Sequence, residues 1–411
     1  MTPARMRVVF ACHRVPYPPK RGGKIRPFNI IRHLHEQGHE VTVASLARSQ
    51  AELDEAEDLG RHCSHRLVEV VHDHVAWPRM VAWLPTPRPS SFGYFHSPRL
   101  LQRVREHASH PRDGKEARPF DLVFVHCAYA APYVLEVPAR LRIMDFGDMD
   151  SQKYREYAQQ RSFPLTLGYW LEAVKLERAE MALARRFDFA TCTTRSEMES
   201  MRRLGATVPA DWFPNGVDAQ YFCPAGEPYD PDLVSFVGRM DYFPNQQAVT
   251  KFCAEVLPEL QRRRPGTRFE IVGADPSPAI RALGQLPGVT VTGSVPDVRP
   301  FVTRAALTVA PLEIARGTQN KILESMAMGV PVVCSRQAVG GVDAVAGEHL
   351  LAYDTREQLV EAVLGVLQSP ALRATLAEAG RARVLANHSW AASMRRMDVL
   401  IASQFERRSA A

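Results

Sequence analysis

No stretch of this 411-residue chain is apolar over anything near the roughly 18 residues that a membrane-spanning helix needs. Met1 to Arg7 leads directly into a strand pattern without the apolar core of a signal peptide, so a cytoplasmic location is expected. The seven cysteines (Cys12, Cys63, Cys127, Cys192, Cys223, Cys253 and Cys334) are odd in number and scattered, which argues against a disulfide framework or a zinc site. They read as buried thiols of a reducing compartment. The GxGxxG dinucleotide fingerprint is missing, and that weighs against a nicotinamide enzyme. Short repeats, low-complexity segments and an RNA-binding aromatic signature are missing too. The basic residues are dispersed, so the net charge of +6 favours an anionic partner such as a nucleotide-linked substrate or the headgroups of a cytoplasmic leaflet.

What is present is ordinary globular composition, 45% hydrophobic and 23% charged, in a chain long enough for two domains of about 200 residues. Strand and helix patterns alternate throughout, which predicts α/β domains with parallel sheets. Arg7 to Cys12 is the first strand, a helix follows from Lys24 to Gln37, and Gly38 stops it before Glu40 to Leu46. Pro214-Asn215-Gly216-Val217-Asp218, followed by three further prolines, has the composition of a linker. A second alternation then begins at Leu233. The expected domains are 1–212 and 213–388, with 389–411 as a helix returning to the first.

The most informative segment is Arg316-Gly-Thr-Gln-Asn-Lys-Ile-Leu-Glu-Ser-Met-Ala-Met-Gly329. A buried strand, Ala305 to Leu312, precedes it, and a helix is expected to open at Gly317-Thr318 and run to about Met328. Free amides and the helix dipole attract phosphate, which makes Gly317, Thr318, Gln319 and Lys321 a candidate cradle. Glu324, about two turns in, can accept hydrogen bonds from paired ribose hydroxyls. An ordinary crossover with a solvated Lys321/Glu324 pair would leave the same pattern.

Other segments sit where open α/β sheets bind ligands, at strand ends. Lys20-Arg21-Gly22-Gly23-Lys24 lets backbone approach a ligand closely or is a basic-rimmed glycine turn. Arg239, after Gly238, offers a planar fork for a diphosphate or forms an interdomain salt bridge. Gly293-Ser294-Val295-Pro296-Asp297 could frame a nucleobase through backbone groups. Asp145, Asp148 and Asp150 could bind a metal, orient an acceptor hydroxyl, serve as a base, or cap a helix starting at Ser151. His126, at a strand end, is more often a structural histidine. Trp77 to Leu84 mixes aromatic, aliphatic and basic side chains as a membrane-interface segment does, although burial between helices is the plainer expectation.

Together these pieces resemble the large family of retaining GT-B glycosyltransferases that use nucleotide-sugar donors. The resemblance runs in order through Gly22-Gly23, Gly38-His39-Glu40-Val41, Thr193-Thr194-Arg195-Ser196-Glu197, Pro214-Asn215-Gly216-Val217-Asp218, Phe236-Val237-Gly238-Arg239, Gly293-Ser294-Val295-Pro296-Asp297 and Lys321 to Val333. The wording of Asp148-Met149-Asp150-Ser151 and of Met240 to Asn245 is similar to the branch associated with PEP-CTERM and exosortase exopolysaccharide systems.

The resemblance implies two Rossmann-like domains facing across a cleft, an acceptor-binding first half and a nucleotide-sugar-binding second half. Arg239 and Lys321 then neutralise the diphosphate and Glu324 holds the ribose. Gly22, Gly23, Gly238, Gly293, Val295, Gly317, Thr318, Gln319 and Asn320 contribute binding positions. Family members commonly carry a glutamate where this chain has Arg316 and a lysine where it has Pro244; Glu313 and Lys321 are the substitutes to weigh. Many relatives also show a first-half histidine near the acceptor, absent from Phe146-Gly147-Asp148, which makes Asp148 its substitute. No metal and no cofactor are implied, the nucleotide-diphosphate sugar being a co-substrate. The acceptor would be a lipid-linked or polysaccharide glycan, with peripheral contact at the cytoplasmic face of the inner membrane. A nucleotide-sugar epimerase of the same fold and a non-catalytic nucleotide-binding subunit are the alternatives. The epimerase needs an acid and a base on opposite faces of the sugar, and no such pair is visible.

Overall fold

The computed structural model describes residues 5–19, 22–109 and 118–410, so Lys20 and Arg21 lie outside the described residues. The chain divides into two compact units, Met1–Phe213 with Met394–Ala411, and Pro214–Ser393. Each is built on one parallel sheet with helices, the α/β class expected.

The first unit carries β1 (Arg7–Cys12), β2 (Glu40–Ala47), β3 (His65–Val70), β4 (Phe120–His126), β5 (Ala139–Gly147), β6 (Phe189–Cys192) and β7 (Ala210–Trp212). Their order is β3-β2-β1-β4-β5-β6-β7. Six of the seven residues of β4 are buried, as expected for a strand covered on both faces. The helix Gly22–Glu36 starts at the glycine pair itself rather than at Lys24. The helix Trp390–Ala410 sends its Met394–Ala410 part into this unit, burying Met394, Met397, Ile401 and Phe405 along one stripe. Arg396 pairs with Asp211 at 3.2 Å and Asp398 with His33 at 2.9 Å to hold it there.

The second unit carries β8 (Asp230–Val237), β9 (Arg268–Val272), β10 (Val289–Gly293), β11 (Ala305–Ala310), β12 (Val332–Ser335) and β13 (Leu351–Tyr353), ordered β10-β9-β8-β11-β12-β13. In each sheet the order reverses once, between β1 and β4 and between β8 and β11. At such a point neighbouring crossovers diverge and leave a crevice beyond the strands' carboxyl ends. The residues following β8 and β11 include Gly238, Arg239, Glu313 and Arg316; those following β1 and β4 include His13 and Cys127.

Candidate functional site

In the second unit the segment after β11 departs from expectation. The helix begins at Asn320, not Gly317, and ends at Ala327, so Glu324 lies about one turn inside rather than two. Gly317 adopts φ of +62°, a conformation that costs a side-chain-bearing residue and takes the chain out of the helical path. Gly341 packs so close to this loop that a Cβ there would sit 2.0 Å from the Gly317 carbonyl oxygen. Gln319 is the capping residue without a side-chain capping bond; its Nε2 donates to the Arg316 carbonyl at 2.9 Å. Thr318 Oγ1 and Asn320 Oδ1 are buried with no hydrogen-bond partner, which is costly unless something completes them.

Lys321 reaches back to β8. Its Nζ donates to Asn245 Oδ1 at 2.6 Å and stands 4.4 Å from the Phe236 ring centroid. Asn245 Nδ2 in turn donates to the Arg239 carbonyl at 2.8 Å. A Cβ on Gly238 would meet Asn245 Nδ2 at 2.6 Å and Lys321 Nζ at 3.2 Å, so any larger residue would have to displace this pair. Burial drives the Lys321 ammonium down to about 7 and the Glu324 carboxyl up to about 7, against their mutual attraction. A lysine this poorly solvated gains from an anion that restores its charge.

Arg239 does not stand free. It is bidentate to Asp241, with Nε at 3.0 Å and Nη2 at 2.7 Å, and also pairs with Asp275, all within the second unit. Its pKa is raised by the Asp241 bond first. Both carboxylates that it pairs with belong to its own unit. Glu313 is exposed and pairs with Lys251 and with Gln247 Nε2 at 2.9 Å. Gly293 has φ of +71°, and Val295 packs beside Val237 and Val272. A groove of about 730 Å³, within the range of small-molecule sites, is lined by Asp275, Arg281, Thr292, Gly293 and Ser294 among others.

The first unit holds the remaining positions. Gly22 and Gly23 are exposed in the first turn of their helix, and Lys24 behind them pairs with Glu52 at 2.7 Å. Asp148 accepts from Thr193 Oγ1 at 2.7 Å. It caps nothing: the helix starts at Asp150 after Met149, whose amide donates to Glu197 at 2.8 Å, and the Ser151 amide donates to Glu180 at 3.1 Å. Burial raises the Asp150 carboxyl. Among the described residues no group of three potential ligands is placed to hold a metal ion.

The arrangement least visible beforehand surrounds Asp145, which is fully buried. Arg26 grips it with two bonds, Thr191 Oγ1 donates to it at 2.8 Å, and His126 Nδ1 lies 2.7 Å away. Arg26 holds this carboxyl well below the usual range against strong desolvation. An ionised carboxylate only accepts, so His126 Nδ1 carries the hydrogen and this bond fixes the ring's orientation. His13 lies 6.4 Å from the His126 ring, its Nδ1 buried without a partner and its pKa depressed chiefly by burial. Cys127, between His126 and the next turn, takes φ of +77°. Asp145 and His126 were each visible as strand-end residues, but nothing marked Arg26 as their partner.

The chain's two halves match two family descriptions: residues 21–216 the Glycosyl transferase 4-like domain, and residues 231–369 Glycosyl transferases group 1. Between them these spans take in most of the chain, and it belongs to the glycosyltransferases of GT-B fold. Solved structures share the fold at low identity. A sucrose-phosphate synthase from Thermosynechococcus elongatus is 17% identical, with 97% of this chain and 99% of that one covered and a TM-score of 0.70. HepE of Anabaena, solved with UDP and glucose, is 15% identical over 97% of this chain and 100% of its own, with a TM-score of 0.67. A glycosyltransferase from Rickettsia africae is 11% identical over 97% and 99%, with a TM-score of 0.62. No curated protein sequence matches the chain.

Proposed function

We propose that the protein is a retaining, metal-independent hexosyltransferase. It moves a sugar from a nucleotide-diphosphate donor to a lipid-linked or growing polysaccharide acceptor, in exopolysaccharide or cell-envelope glycan synthesis of the PEP-CTERM/exosortase-associated kind. It works in the cytoplasm, in peripheral contact with the membrane. The observation that carries this reading is the half-buried Lys321 ammonium, held over Gly238 by Asn245 beside the partnerless Thr318 and Asn320 oxygens. A diphosphate would supply charge to the first and partners to the others. Arg239 would exchange Asp241 and Asp275 for a phosphate, since its fork already presents two donors. Glu324 would accept from ribose hydroxyls, and Gly293 and Val295 would border the base.

In the transfer, the bond from the sugar's anomeric carbon to the diphosphate oxygen breaks and the acceptor oxygen bonds that carbon on the same face. The leaving phosphate takes the acceptor's proton. Lys321 and Arg239 stabilise the charge growing on the diphosphate, the kind of preorganised electrostatics worth about 3–4 kcal/mol per donor in such sites. Asp148 would orient the acceptor hydroxyl. UDP, found on the neighbour HepE, is the first donor base to try.

The test is donor turnover by purified protein in the presence of chelator, comparing Arg239→Ala, Lys321→Ala and Glu324→Ala. Near-normal transfer by all three would sink the assignment. Isomerised nucleotide sugar formed without acceptor would favour the epimerase, and tight nucleotide binding with neither transfer nor hydrolysis a non-catalytic subunit.

A further inference from the structure

Among the described residues, nine of the fifteen exposed large apolar side chains fall on two short segments of the first unit, four on 75–84 and five on 163–171. Trp77 is 53% exposed, Val81 55% and Phe163 81%, which overturns burial between helices as the account of Trp77 to Leu84. Trp77, Val81 and Leu84 recur at helical spacing along and just past the Asp73–Ala82 helix; Leu167, Trp170 and Leu171 do the same on Leu165–Ala184. Lys175, one turn beyond Leu171, donates from Nζ to the Leu84 carbonyl at 2.7 Å and brings the two stripes side by side. Contiguous exposed apolar surface of this kind marks an interaction site rather than ordinary scatter.

The charge around the patch says what it meets. Residues 74–89 and 160–171 contain no carboxylate but include Arg88 and Arg161, as well as Arg79, whose Nη1 donates to the His96 carbonyl. Glu172 is turned inward to the Ser90 and Ser91 amides, at 2.9 and 2.8 Å. The flanking acids are engaged, Asp73 by Tyr94 Oη at 2.7 Å and Glu177 by Arg155 at 2.6 Å. Arg88 lies over the Trp83 ring, its centroid 5.6 Å away, as a guanidinium does at an apolar boundary. A second copy seated on this face would bring arginine against arginine, whereas anionic headgroups complement it.

We propose that this paired-helix face docks on an anionic lipid bilayer, with Trp77, Leu84, Phe163 and Trp170 entering the interface and Arg88 and Arg161 at the headgroups. Among the described residues no single helix is long and apolar enough to cross a membrane, so the contact is a surface one. The docking does not depend on the nucleotide site, which lies on the other unit's elements, and it is measured without donor.

The full chain is sedimented with vesicles of phosphatidylcholine alone and of phosphatidylcholine with about 30% phosphatidylglycerol, at low and high salt. Binding to the anionic vesicles, weakened by salt, is expected. The triple variant Trp77→Ser, Leu84→Ser, Trp170→Ser should cut that affinity at least roughly tenfold while leaving the melting temperature and UDP binding in place. Absence of sedimentation with either vesicle, or equal sedimentation of the folded triple variant, would overturn the proposal. So would a concentration-dependent dimer in light scattering that the triple variant abolishes, which would assign the face to a second copy.

Discussion

Arg26 and Asp145, 119 positions apart, form a two-pronged ion pair, Nε to Oδ2 at 2.9 Å and Nη2 to Oδ1 at 2.8 Å, from which solvent is excluded. Arg26 also donates to the Phe213 carbonyl and lies 3.7 Å from that ring's centroid, tying the first helix to β5 and to the end of the first unit. Arg26→Met should destabilise the protein by about 3–5 kcal/mol, because it strands a buried carboxylate. Asp145 has its pKa depressed in the folded state, so its contribution is present above the ordinary aspartate value and is lost as pH falls below it. Urea titrations at neutral and acid pH should show the two proteins converging as the pH drops.

Lys321 and Glu324 produce the opposite kind of pH dependence. Glu324 titrates near 7 instead of 4.5, so the folded state holds an extra proton between those values and stability falls as pH rises through that window. Lys321 titrates near 7 instead of 10.5, so the folded state lacks a proton above 7 and stability rises from there. The ligand-free protein should therefore show a shallow minimum in melting temperature near pH 7. Lys321→Met with Glu324→Gln should flatten it. UDP should raise the wild-type curve most below the minimum, where the ammonium is charged, and calorimetry in two buffers should show proton uptake on binding above it.

The pattern of parallel strands was legible because a strand covered on both faces must be apolar along nearly its whole length, as β4 and β11 are. The helix start before Lys321 was misread because Arg316 to Asn320 holds no apolar residue whose spacing could mark it; the positive φ at Gly317 and the close approach of Gly341 keep that loop out of the helix, and the second of these is a long-range contact. Arg239 shows the same divide. Asp241 is two positions away and could have been paired with it on sight, whereas Asp275 comes from beyond the next strand, 36 positions on. The Trp77 to Leu84 stripe has the spacing of a core helix, and only the fold shows that nothing in its own unit covers most of it.

Gly238→Ala should act on the nucleotide site through a single methyl group. The added Cβ would meet Asn245 Nδ2 at 2.6 Å and press on Lys321 Nζ at 3.2 Å, so Asn245 must rotate and release the ammonium it holds. Overpacking of this kind costs about 1–3 kcal/mol of stability. UDP affinity should fall by about tenfold or more, the effect of losing one charged contact. Unchanged affinity in isothermal titration, with the variant folded, would show that Lys321 is not positioned by this pair.

Asp148 and His126 compete for the role of acceptor-side group, and their surroundings separate the predictions. Asp148 is half-buried and uses Oδ1 for Thr193, which leaves its second oxygen for an acceptor hydroxyl. His126 has Nδ1 committed to Asp145, which leaves Nε2. Asp148→Asn keeps the shape and removes the charge, so if Asp148 orients the acceptor, kcat/KM for acceptor should fall about 10²–10⁴-fold. UDP affinity should stay within about twofold, because the elements around Lys321 belong to the other unit. His126→Gln serves as the control: if it shows the larger loss while Asp148→Asn transfers normally, the histidine at the end of β4 takes the role and Asp148 only braces Thr193.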